Sequence, residues 1–490
     1  MSEQNKKIAV AKGDGIGTEI MNAVLEIFDA AAVPLQYEPI DMGRHIYESG
    51  QSTGMTPAAK DTVESTGILF KGPMETPKGK GMKSINVTAR KVWNTYANKR
   101  VFKTLSGVNT VFSKAGIPID ITIVRENIED TYGGIEHMLT QDVALCRRFI
   151  TRPGSMQVHR YAFELARKKK ARRITCGHKA NIMKITDGLF LETFYEVAKE
   201  YPDLAADDVI VDDLCMKLVV MPNTFDVVVL PNLQGDIVSD LCAGLVGGLG
   251  FAPSANIGDD ICIFEAVHGT APDIAGKGIA NPTALLMSGL MLLRHIGFTT
   301  HAAMIENALL ATLEAGMHTG DFGDDRKNAV NTKQFTEAII KNFGEMPIHT
   351  KPAAGVQNLV NHAAAKIKSA QNILIKSEKN EVQQLVGADL FVEYNEQPAS
   401  LAAIIQQTTA EQYTLSTISN RGTQVWPQGS VYTNCVNQYR VRLERREGVA
   451  LQPDDIFTTC MQLSKNIRIC SVEMLLEIGG KKAYSLAQGQ

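Results

Sequence analysis

Short apolar runs and longer amphipathic stretches alternate along the chain as far as Phe343. Amphipathic periodicity predicts helices from about Thr18, from Ser155 to Lys170 and from Ala302 to Gly316. The short apolar runs predict buried strands. These are Lys6–Ala11, Gly67–Lys71, Ile119–Val124, Arg173–Gly177, Asp207–Val211, Phe225–Leu230 and Ile261–Glu265. Strands that alternate with helices are typical of an α/β fold.

The composition changes after Met346–Pro352, where glutamine and asparagine become frequent. We therefore expect a separate small α+β domain from Lys351 to Gln490. Strand patterns there are Asp389–Glu393 and Val431–Leu443, and helical patterns are Ser400–Gln407, Pro453–Lys465 and Ser471–Gly479. Within the first part, the glycines between Gly244 and Gly250 predict a crossover between two subdomains.

Charge and cysteine usage narrow the class of protein. The 490 residues carry 50 basic and 53 acidic side chains, so no overall field attracts nucleic acid or an anionic membrane. The basic run Arg167–Arg173 follows a predicted helix, where cations ordinarily complement the helix dipole.

The 8 cysteines are scattered and no apolar leader is evident, which predicts a cytoplasmic location. The apolar stretch Ala284–Leu293 is too short to span a bilayer and predicts a buried or interface helix.

Three aspartates form a candidate metal site. Asp236 and Asp240 lie four positions apart, on one face of a helix that follows the strand Phe225–Leu230. Asp212 follows the strand Asp207–Val211. Carboxylates without neighbouring histidine or cysteine ligands favour Mg²⁺ or Mn²⁺. The alternative is a solvated acidic helix start, which the helix dipole would also favour.

Further candidate residues lie in polar segments next to predicted strands. Gly13–Gly17 resembles a phosphate-binding fingerprint, but a tight strand-to-helix turn explains it equally well. A helix from Ser84 would present Asn86 and Arg90 on one face, either as an anion-binding surface or as an ordinary exposed face. Lys179 is either a surface residue or a proton-transfer group.

Taken together, these motifs resemble the decarboxylating β-hydroxyacid dehydrogenases, the isocitrate/isopropylmalate dehydrogenase family. The resemblance covers Lys6 to Phe343, where five spaced motifs occur in the family's order, and it is greatest to the long bacterial isocitrate enzymes with an additional C-terminal domain. It implies an α/β fold with a large subdomain (1–110 and 245–345) and a small subdomain (111–244) around a cleft. An arm at about 133–154 would clasp a second subunit.

The resemblance also implies roles for individual residues. Tyr132 and Lys179 would transfer protons, and Asp212, Asp236 and Asp240 would bind the metal. Lys179 and Asp212 would come from the neighbouring subunit, so the enzyme would be at least a homodimer. The substrate, isocitrate, would be bound by Thr76, Ser84, Asn86, Arg90, Arg100 and Arg125. The cofactor would be bound by Thr76, Asn181, Glu265, His268, Gly269, Thr270, Ala271, Asp273, Ile274 and Asn281.

Two further expectations concern specificity. Ser84 and Asn86 stand where isopropylmalate enzymes place leucines, which favours isocitrate over isopropylmalate. Homoisocitrate remains an alternative substrate. A non-catalytic regulatory subunit is the rival from another class, although all the catalytic positions are filled. Asp273-Ile274 stands where NADP-using relatives place lysine and tyrosine, and a carboxylate there would repel a 2′-phosphate. We therefore expect NAD as the cofactor.

Overall fold

The computed structural model describes residues 5–76, 84–321, 329–354, 381–409, 411–429 and 433–485. The glycine-rich stretch Lys78–Gly81 lies outside these ranges. Contacts divide the chain into two units. The first consists of Met1–Tyr132, Ile150–Ile182 and Asp187–Asn372, and the second of Gly133–Phe149, Met183–Thr186 and Ile373–Gln490.

The strands are, in chain order, β1 (Lys6–Ala11), β2 (Leu35–Pro39), β3 (Ile68–Lys71), β4 (Ala97–Lys103), β5 (Asp120–Glu126), β6 (Glu136–Met138), β7 (Ala144–Cys146), β8 (Arg173–His178), β9 (Ala205–Ile210), β10 (Val227–Leu230), β11 (Pro253–Ile257), β12 (Cys262–Ala266), β13 (Gln383–Glu393), β14 (Tyr413–Asn420), β15 (Thr423–Trp426), β16 (Gln438–Arg445), β17 (Arg468–Ile478) and β18 (Lys481–Lys482).

The helices are α1 (Gly17–Ala30), α2 (Arg44–Glu48), α3 (Pro57–Thr66), α4 (Ile85–Val92), α5 (Val111–Lys114), α6 (Arg152–Lys169), α7 (Thr186–Ala198), α8 (Val211–Val220), α9 (Asn232–Leu245), α10 (Thr283–His295), α11 (Thr299–Glu314), α12 (Thr332–Lys341), α13 (Pro398–Thr409) and α14 (Pro453–Leu463). Short 3-10 turns cover Asp130–Gly133, Pro222–Thr224 and Leu249–Phe251.

The first unit is built on a 10-stranded sheet with the order β2-β1-β3-β12-β11-β4-β5-β10-β8-β9. Strands β2, β1, β3 and β12 are parallel to one another, as are β5, β10, β8 and β9. The antiparallel strands β11 and β4 join these two blocks. All residues of β3 and β10 are buried, because helices cover both faces of parallel strands. The carboxyl ends of the second parallel block lead directly to Arg125, Lys179 and the helices that carry the aspartates.

The turn Gly13–Gly17 is filled by protein. Gly13 has φ +79°, and a Cβ there would lie 2.3 Å from the Pro73 carbonyl oxygen. At Gly15 a Cβ would lie 2.1 Å from the Thr270 carbonyl oxygen, which also accepts a 2.9 Å hydrogen bond from Ile16 N. The loop after β12 therefore occupies the space that a phosphate cradle would need, which supports the interpretation of a tight strand-to-helix turn.

Helix α10 explains the most apolar stretch of the sequence. Leu285, Leu286, Leu290, Leu292 and Leu293 are all buried in the largest apolar cluster of the first unit. The helix is apolar on nearly every side because it is interior rather than amphipathic. Among the described residues, no helix is long and apolar enough to cross a membrane.

The second unit contains the hairpin β6–β7 and an antiparallel sheet with the order β15-β14-β16-β13-β17-β18. The succession β13-α13-β14-β16-α14-β17 is that of a ferredoxin-like domain. One face of this sheet packs on α13 and α14 through residues such as Leu390, Val441 and Leu401.

Secondary structure in the C-terminal domain corrects one prediction. Ser471–Gly479 was expected to be helical, but residues up to Ile478 form part of β17, which pairs with β13 along its length. Glu-Met-Leu-Leu-Glu has high helix propensity, which cross-strand pairing overrides. The predicted strand from Val431 begins at Gln438, and Val431 itself lies outside the described residues.

Candidate active site

Asp236 lies at the centre of a cluster of buried arginines. It is in the second turn of α9, and Arg125, at the end of the neighbouring strand β5, donates Nη1 to its Oδ1. Arg125 also donates Nε and Nη2 to Asn232 Oδ1 at 3.0 and 2.7 Å. Arg100, on β4, donates Nη2 to Asp236 Oδ1 at 3.2 Å and Nη1 to Ser239 Oγ at 2.5 Å. The two guanidinium groups therefore share the carboxylate of Asp236.

Tyr132 contacts the same carboxylate from the other side. Its hydroxyl donates to Asp236 Oδ2 at 2.7 Å, and the Arg125 guanidinium lies 4.7 Å from its ring centroid. Lys91 Nζ donates to the Tyr132 carbonyl oxygen at 2.6 Å. Burial, and then Asp236, raise the pKa of Tyr132 against the opposing effect of Arg125. The phenol therefore stays protonated at neutral pH and is available as a proton donor.

The two aspartates of α9 differ in their electrostatics. Burial alone would raise the pKa of Asp236, but Arg125 and Arg100 outweigh it and hold that pKa below the ordinary value. Burial, and then Asp236, raise the pKa of Asp240, whose carboxylate lies 3.9 Å from Arg100 Nη1. Asp240 is 60% exposed and gains least from the arginines. A divalent cation beside both carboxylates would remove their mutual repulsion.

A second buried network surrounds Glu265 on β12. Its Oε1 accepts a 2.8 Å hydrogen bond from Arg90 Nη2, and its Oε2 forms an ion pair with Lys71 at the end of β3. Lys71 Nζ also donates to Asn86 Oδ1 at 2.8 Å. Burial would raise the pKa of Glu265, but Lys71 and Arg90 outweigh it and keep the carboxyl ionised. Two cations and one anion leave this pocket with a net positive charge.

Helix α4 presents the predicted polar set to this network. Ser84 caps the helix, its Oγ accepting from Val87 N at 3.4 Å and from Thr76 Oγ1 at 3.2 Å. Asn86 and Arg90 project from one face toward Lys71 and Glu265, as the spacing predicted. Arg90 Nε is buried and has no hydrogen-bond partner among the described residues. A buried guanidinium nitrogen without an acceptor is suited to an anionic ligand.

Lys179 and Asp212 form a separate pair. Lys179 follows β8 and Asp212 begins α8 after β9, and Lys179 Nζ forms an ion pair with Asp212 Oδ1. Lys179 N donates to Asp187 Oδ2 at 2.6 Å, which fixes the turn after β8. The hydrogen bond from Lys179 lowers the pKa of Asp212, which is 68% exposed.

Two of the three predicted metal-binding aspartates lie together in one chain, and the third does not. Asp236 and Asp240 supply hard oxygen ligands on adjacent turns of α9, as Mg²⁺ or Mn²⁺ prefers. No group of three histidine, cysteine or acidic residues in the described part of the chain is placed to hold a metal ion. Asp212 therefore does not join the other two within a single chain, and a complete ligand set would need Asp212 from a second copy.

The loop between β12 and α10 has buried groups suited to a cofactor. Glu19 anchors it, accepting hydrogen bonds from Gly278 N and Ala280 N at 3.2 and 2.9 Å. His268 Nε2 and Asn281 Nδ2 are buried without partners among the described residues. Burial lowers the pKa of His268, so its ring is neutral. Its Nδ1 donates to the Gly269 carbonyl oxygen at 3.0 Å, which leaves Nε2 as an acceptor. One acceptor and one donor fit the edge of a nucleobase.

Of the other predicted cofactor residues, Thr76 contacts Ser84 and Glu265 contacts Arg90, as described above. The rest fall into two places. Gly269, Thr270, Ala271, Asp273 and Ile274 lie on this same loop, where Thr270 packs on Gly15 and Asp273 is exposed. Asn181 follows β8, which lies five strand positions from β12. At about 4.8 Å per strand this is roughly 24 Å. The structure does not bring Asn181 to the loop within one chain.

Sequence reasoning missed several residues that support the site. Lys71 is the last residue of the otherwise apolar strand Ile68–Lys71. Because a buried lysine needs a partner, this pattern could have indicated a functional role for Lys71. Asn98 accepts from Arg100 Nε at 2.6 Å, and Asn232 and Ser239 accept from the arginines described above. These three polar residues have no local signature, because their partners are distant in the chain.

The fold and this set of side chains define an α/β enzyme of the dehydrogenase class. The sequence model of the isocitrate/isopropylmalate dehydrogenase family matches residues 7–339, and the model of the bacterial isocitrate dehydrogenase C-terminal domain matches residues 383–490. The chain belongs to the isocitrate/isopropylmalate dehydrogenase family. The predicted family and fold class are thereby confirmed, including the additional C-terminal domain.

Full-length relatives carry a specific name. The isocitrate dehydrogenase [NADP] of Thermus thermophilus is 42% identical, covering 100% of this chain and 97% of that protein. The isocitrate dehydrogenase [NADP] of Rickettsia bellii is 40% identical, covering 99% of each chain. The crystal structure of the TT0538 protein from Thermus thermophilus superimposes with a TM-score of 0.91 at 39% identity, covering 100% of this chain and 97% of that one.

The prediction of NAD as the cofactor is wrong, since the relatives that match over the full length are named for NADP. The prediction rested on Asp273 and Ile274, where NADP-using relatives place lysine and tyrosine, and on the acidic Thr319-Gly-Asp321. Asp273 is exposed, and water screens an exposed charge strongly. The same loop carries Lys277. The charge around a ribose phosphate depends on every group that lines its site, so these few residues could not decide the specificity.

Proposed function

We propose that this chain catalyses the metal-dependent oxidative decarboxylation of isocitrate to 2-oxoglutarate and CO₂, with NADP as the oxidant. The observation that carries the proposal is the group of three buried arginines, Arg90, Arg100 and Arg125. Together with Lys71 they exceed the nearby carboxylates in charge, and Arg90 Nε lacks an acceptor among the described residues. Such a pocket suits a substrate with several carboxylates. The names of the full-length relatives support isocitrate as that substrate.

Ser84 and Asn86 support isocitrate over isopropylmalate. Both are polar at the pocket, with Ser84 bonded to Thr76 and Asn86 to Lys71. An isopropyl group would leave these polar side chains without ligand partners, whereas a third carboxylate would satisfy them. The ratio of kcat/KM between two substrates is larger when it depends on unpaired polar groups than when it depends on a single methylene group. The reason is that buried polar groups are costly to leave unpaired.

Proton transfer is assigned to Tyr132 and Lys179. Tyr132 holds its proton at neutral pH, beside Asp236, and would deliver it to the carbon that loses CO₂. Lys179 would accept the proton of the substrate hydroxyl, directly or through water. Because Lys179 pairs with Asp212 within one chain, both residues would serve the site of a second copy.

Asp236 and Asp240, with Asp212 of a second copy, would hold Mg²⁺ or Mn²⁺. When bound, the metal would supply a Lewis acid for the substrate hydroxyl and the adjacent carboxylate. Asp236 contributes an ionised carboxylate because Arg125 and Arg100 keep its pKa low. His268 and Asn281 would hold the adenosine half of the dinucleotide, which supplies the hydride acceptor when bound.

A homodimer is part of the proposal, with the arm at about 133–154 as its clasp. On the first unit, α8 exposes Met216, Val219 and Val220, which are 50%, 46% and 63% accessible. The adjacent helix α9 exposes Ile237, 59% accessible. An apolar surface across two packed helices is typical of a subunit interface. In the second unit, the hairpin β6–β7 exposes Met138.

The free cysteines favour the reducing cytoplasm as the location of the protein.

Initial rates with isocitrate, homoisocitrate and isopropylmalate, each with NADP and NAD in the presence of Mg²⁺, test the proposal. We expect turnover of isocitrate with NADP at the highest kcat/KM, and a dimer by light scattering. Higher kcat/KM with isopropylmalate would overturn the substrate. Absence of turnover with any combination, in a folded preparation, would indicate the non-catalytic alternative.

A further inference from the structure

Polar side chains form a patch on the face of the C-terminal sheet that is turned away from α13 and α14. Thr417 and Ser419 on β14 lie opposite Arg442 and Arg440 on β16. Paired residues of antiparallel strands share a face, about 5 Å apart. Gln438 lies two positions from Arg440 on the same strand, and so on the same face. Ser419, Arg440 and Gln438 are therefore neighbours, whereas Thr417, opposite Arg442, lies about 13 Å along the strands from Gln438.

The patch contains hydrogen-bonding groups that the protein leaves unused. Thr417 Oγ1, Gln438 Nε2 and Arg440 Nε are buried and lack partners among the described residues. Thr417 is only 1% exposed. In contrast, Arg442 binds Asp389 through Nε and Nη2, at 2.8 and 2.7 Å. That pair is neutral as a whole, and Glu473, Glu393 and Glu444 on this face are each paired with a cation. Among the described residues, Arg440 has no ion-pair partner, so it contributes one positive charge in excess.

The substrate pocket proposed for the first unit has the same feature, a buried arginine nitrogen without a hydrogen-bond partner in the described part of the chain. Within the described ranges, the buried arginine nitrogens without partners are Arg90 Nε and Arg440 Nε. Arg90 belongs to the site for an anionic substrate proposed above. Buried donors are ordinarily satisfied, and a charged one is the most costly to leave unpaired. The adjacent donors Gln438 Nε2 and Arg440 Nε on one sheet face therefore point to a missing acceptor.

We infer that this patch binds a small oxyanion, either a carboxylate or a phosphate, at a site on the C-terminal domain that is separate from the catalytic residues. The guanidinium of Arg440 and the amide of Gln438 together offer donors that a planar or tetrahedral oxyanion accepts. The single uncompensated charge of Arg440 suits a ligand, or a ligand group, of one negative charge.

The hairpin β6–β7 lies against neighbouring parts of the same domain. Arg147 donates to Ser471 Oγ at 3.3 Å and forms a 2.6 Å ion pair with Glu473, which pairs with Asp389 on this sheet face. Thr140 Oγ1 donates to Asn437 Oδ1 at 3.0 Å, next to Gln438. A bound anion would therefore stiffen the sheet on which the hairpin packs.

The test compares the full-length wild type with Arg440→Gln and with the control Arg445→Gln. Arg445 is on the same strand but at an odd spacing from Arg440, so it lies on the other face. Thermal unfolding and titration calorimetry are run in an anion-poor buffer and then with inorganic phosphate or succinate. Binding of these anions in the catalytic pocket is common to all three proteins, so their difference isolates the patch.

We expect wild type and Arg445→Gln to gain Tm with one of these anions, and Arg440→Gln to gain less and to bind it at this site at least tenfold more weakly. Without the anion, Arg440→Gln should unfold at the same or a higher temperature, because an unpaired buried charge has been removed. Whether phosphate or succinate acts identifies the oxyanion.

Three outcomes would overturn the inference. Equal responses of wild type and Arg440→Gln to both anions would exclude the site. A lower Tm for Arg440→Gln, by the same amount with and without anion, would make Arg440 a structural residue. A changed oligomeric state of Arg440→Gln would identify a carboxylate of a second copy as the acceptor. None of these measurements depends on turnover, so the proposed activity stands or falls separately.

Discussion

Replacement of Arg90 by alanine is the most direct test of the proposed substrate pocket. Two nitrogens of the Arg90 guanidinium have different surroundings. Nη2 donates a hydrogen bond to Glu265 at 2.8 Å, whereas the buried Nε has no partner among the described residues. The substitution should therefore have two separable effects. It removes a donor to the substrate carboxylate, and it leaves Glu265 with Lys71 as its remaining cation.

The expected magnitudes follow from this geometry. A hydrogen bond to a charged group contributes about 1.5–3 kcal/mol, which corresponds to a loss of roughly 10- to 150-fold in kcat/KM. Removal of one partner from a buried ion pair costs about 3–5 kcal/mol of stability, and since Lys71 remains, we expect the lower figure or less. Arg90→Lys should recover most of the stability but little of kcat/KM, because an ammonium group cannot reproduce the guanidinium fork.

Initial rates over a range of isocitrate concentrations, with saturating Mg²⁺ and NADP, measure the first effect, and urea unfolding measures the second. Arg160→Ala is the matched control, because Arg160 pairs with Glu200 on the surface, where both are about half exposed. It should change stability by about 1 kcal/mol at most and leave the kinetics unchanged. A folded Arg90→Ala protein with kcat/KM within twofold of wild type would refute the assignment of Arg90.

Three other substitutions test separate parts of the site. Asp240→Asn removes one negative ligand, so activity titrations should require at least tenfold more Mg²⁺; unchanged metal dependence would exclude Asp240 as a ligand. Burial raises the pKa of Glu126 to about 7, above its ordinary value of 4.5, so its contribution to stability is lost as pH rises from about 4.5 to 7. Urea unfolding of Glu126→Gln should lack this loss of roughly 3 kcal/mol, and parallel pH profiles of the two proteins would contradict it. Asp130 has φ +66° and accepts from Thr131 N and Leu233 N at 2.8 and 2.9 Å, which joins the turn of Tyr132 to α9. Asp130→Gly accommodates the backbone but loses both contacts, so kcat should fall several-fold relative to Asp130→Asn; equal kcat values would show that the side chain does not position Tyr132.

Much of the fold was predictable because local pattern and burial agree there. Strands that are buried on both faces require uninterrupted apolar residues, and Val227–Leu230 and Ile68–Phe70 show this directly. The helix beginning at Ser84 was predicted from local spacing, and the structure adds that Ser84 is its N-cap. The helix predicted at Ser471–Gly479 failed because its residues form a strand only through pairing with β13, which lies about 80 residues earlier in the chain.

The cofactor prediction failed on a related point. The charge of Asp273 is evident from the sequence, but its exposure is not. An exposed carboxylate interacts through a high dielectric and has little influence on a ligand that other groups also contact. Lys71 shows the converse case, since burial beside Glu265 gives one strand-end lysine a strong electrostatic effect.

The sequence by itself determined the order of strands and helices, the helix caps and the identity of the charged residues placed at strand ends, because each depends on neighbours within a few positions. Tertiary structure alone decided which charges meet. Arg90 and Glu265 are 175 residues apart, and Arg125 and Asp236 are 111 apart. It also separated Lys179 and Asp212 from Asp236 within one chain, and left Arg90 and Arg440 with unused donors. The physical reason is that electrostatic energy depends on distance and burial in space, and neither is encoded by separation along the chain.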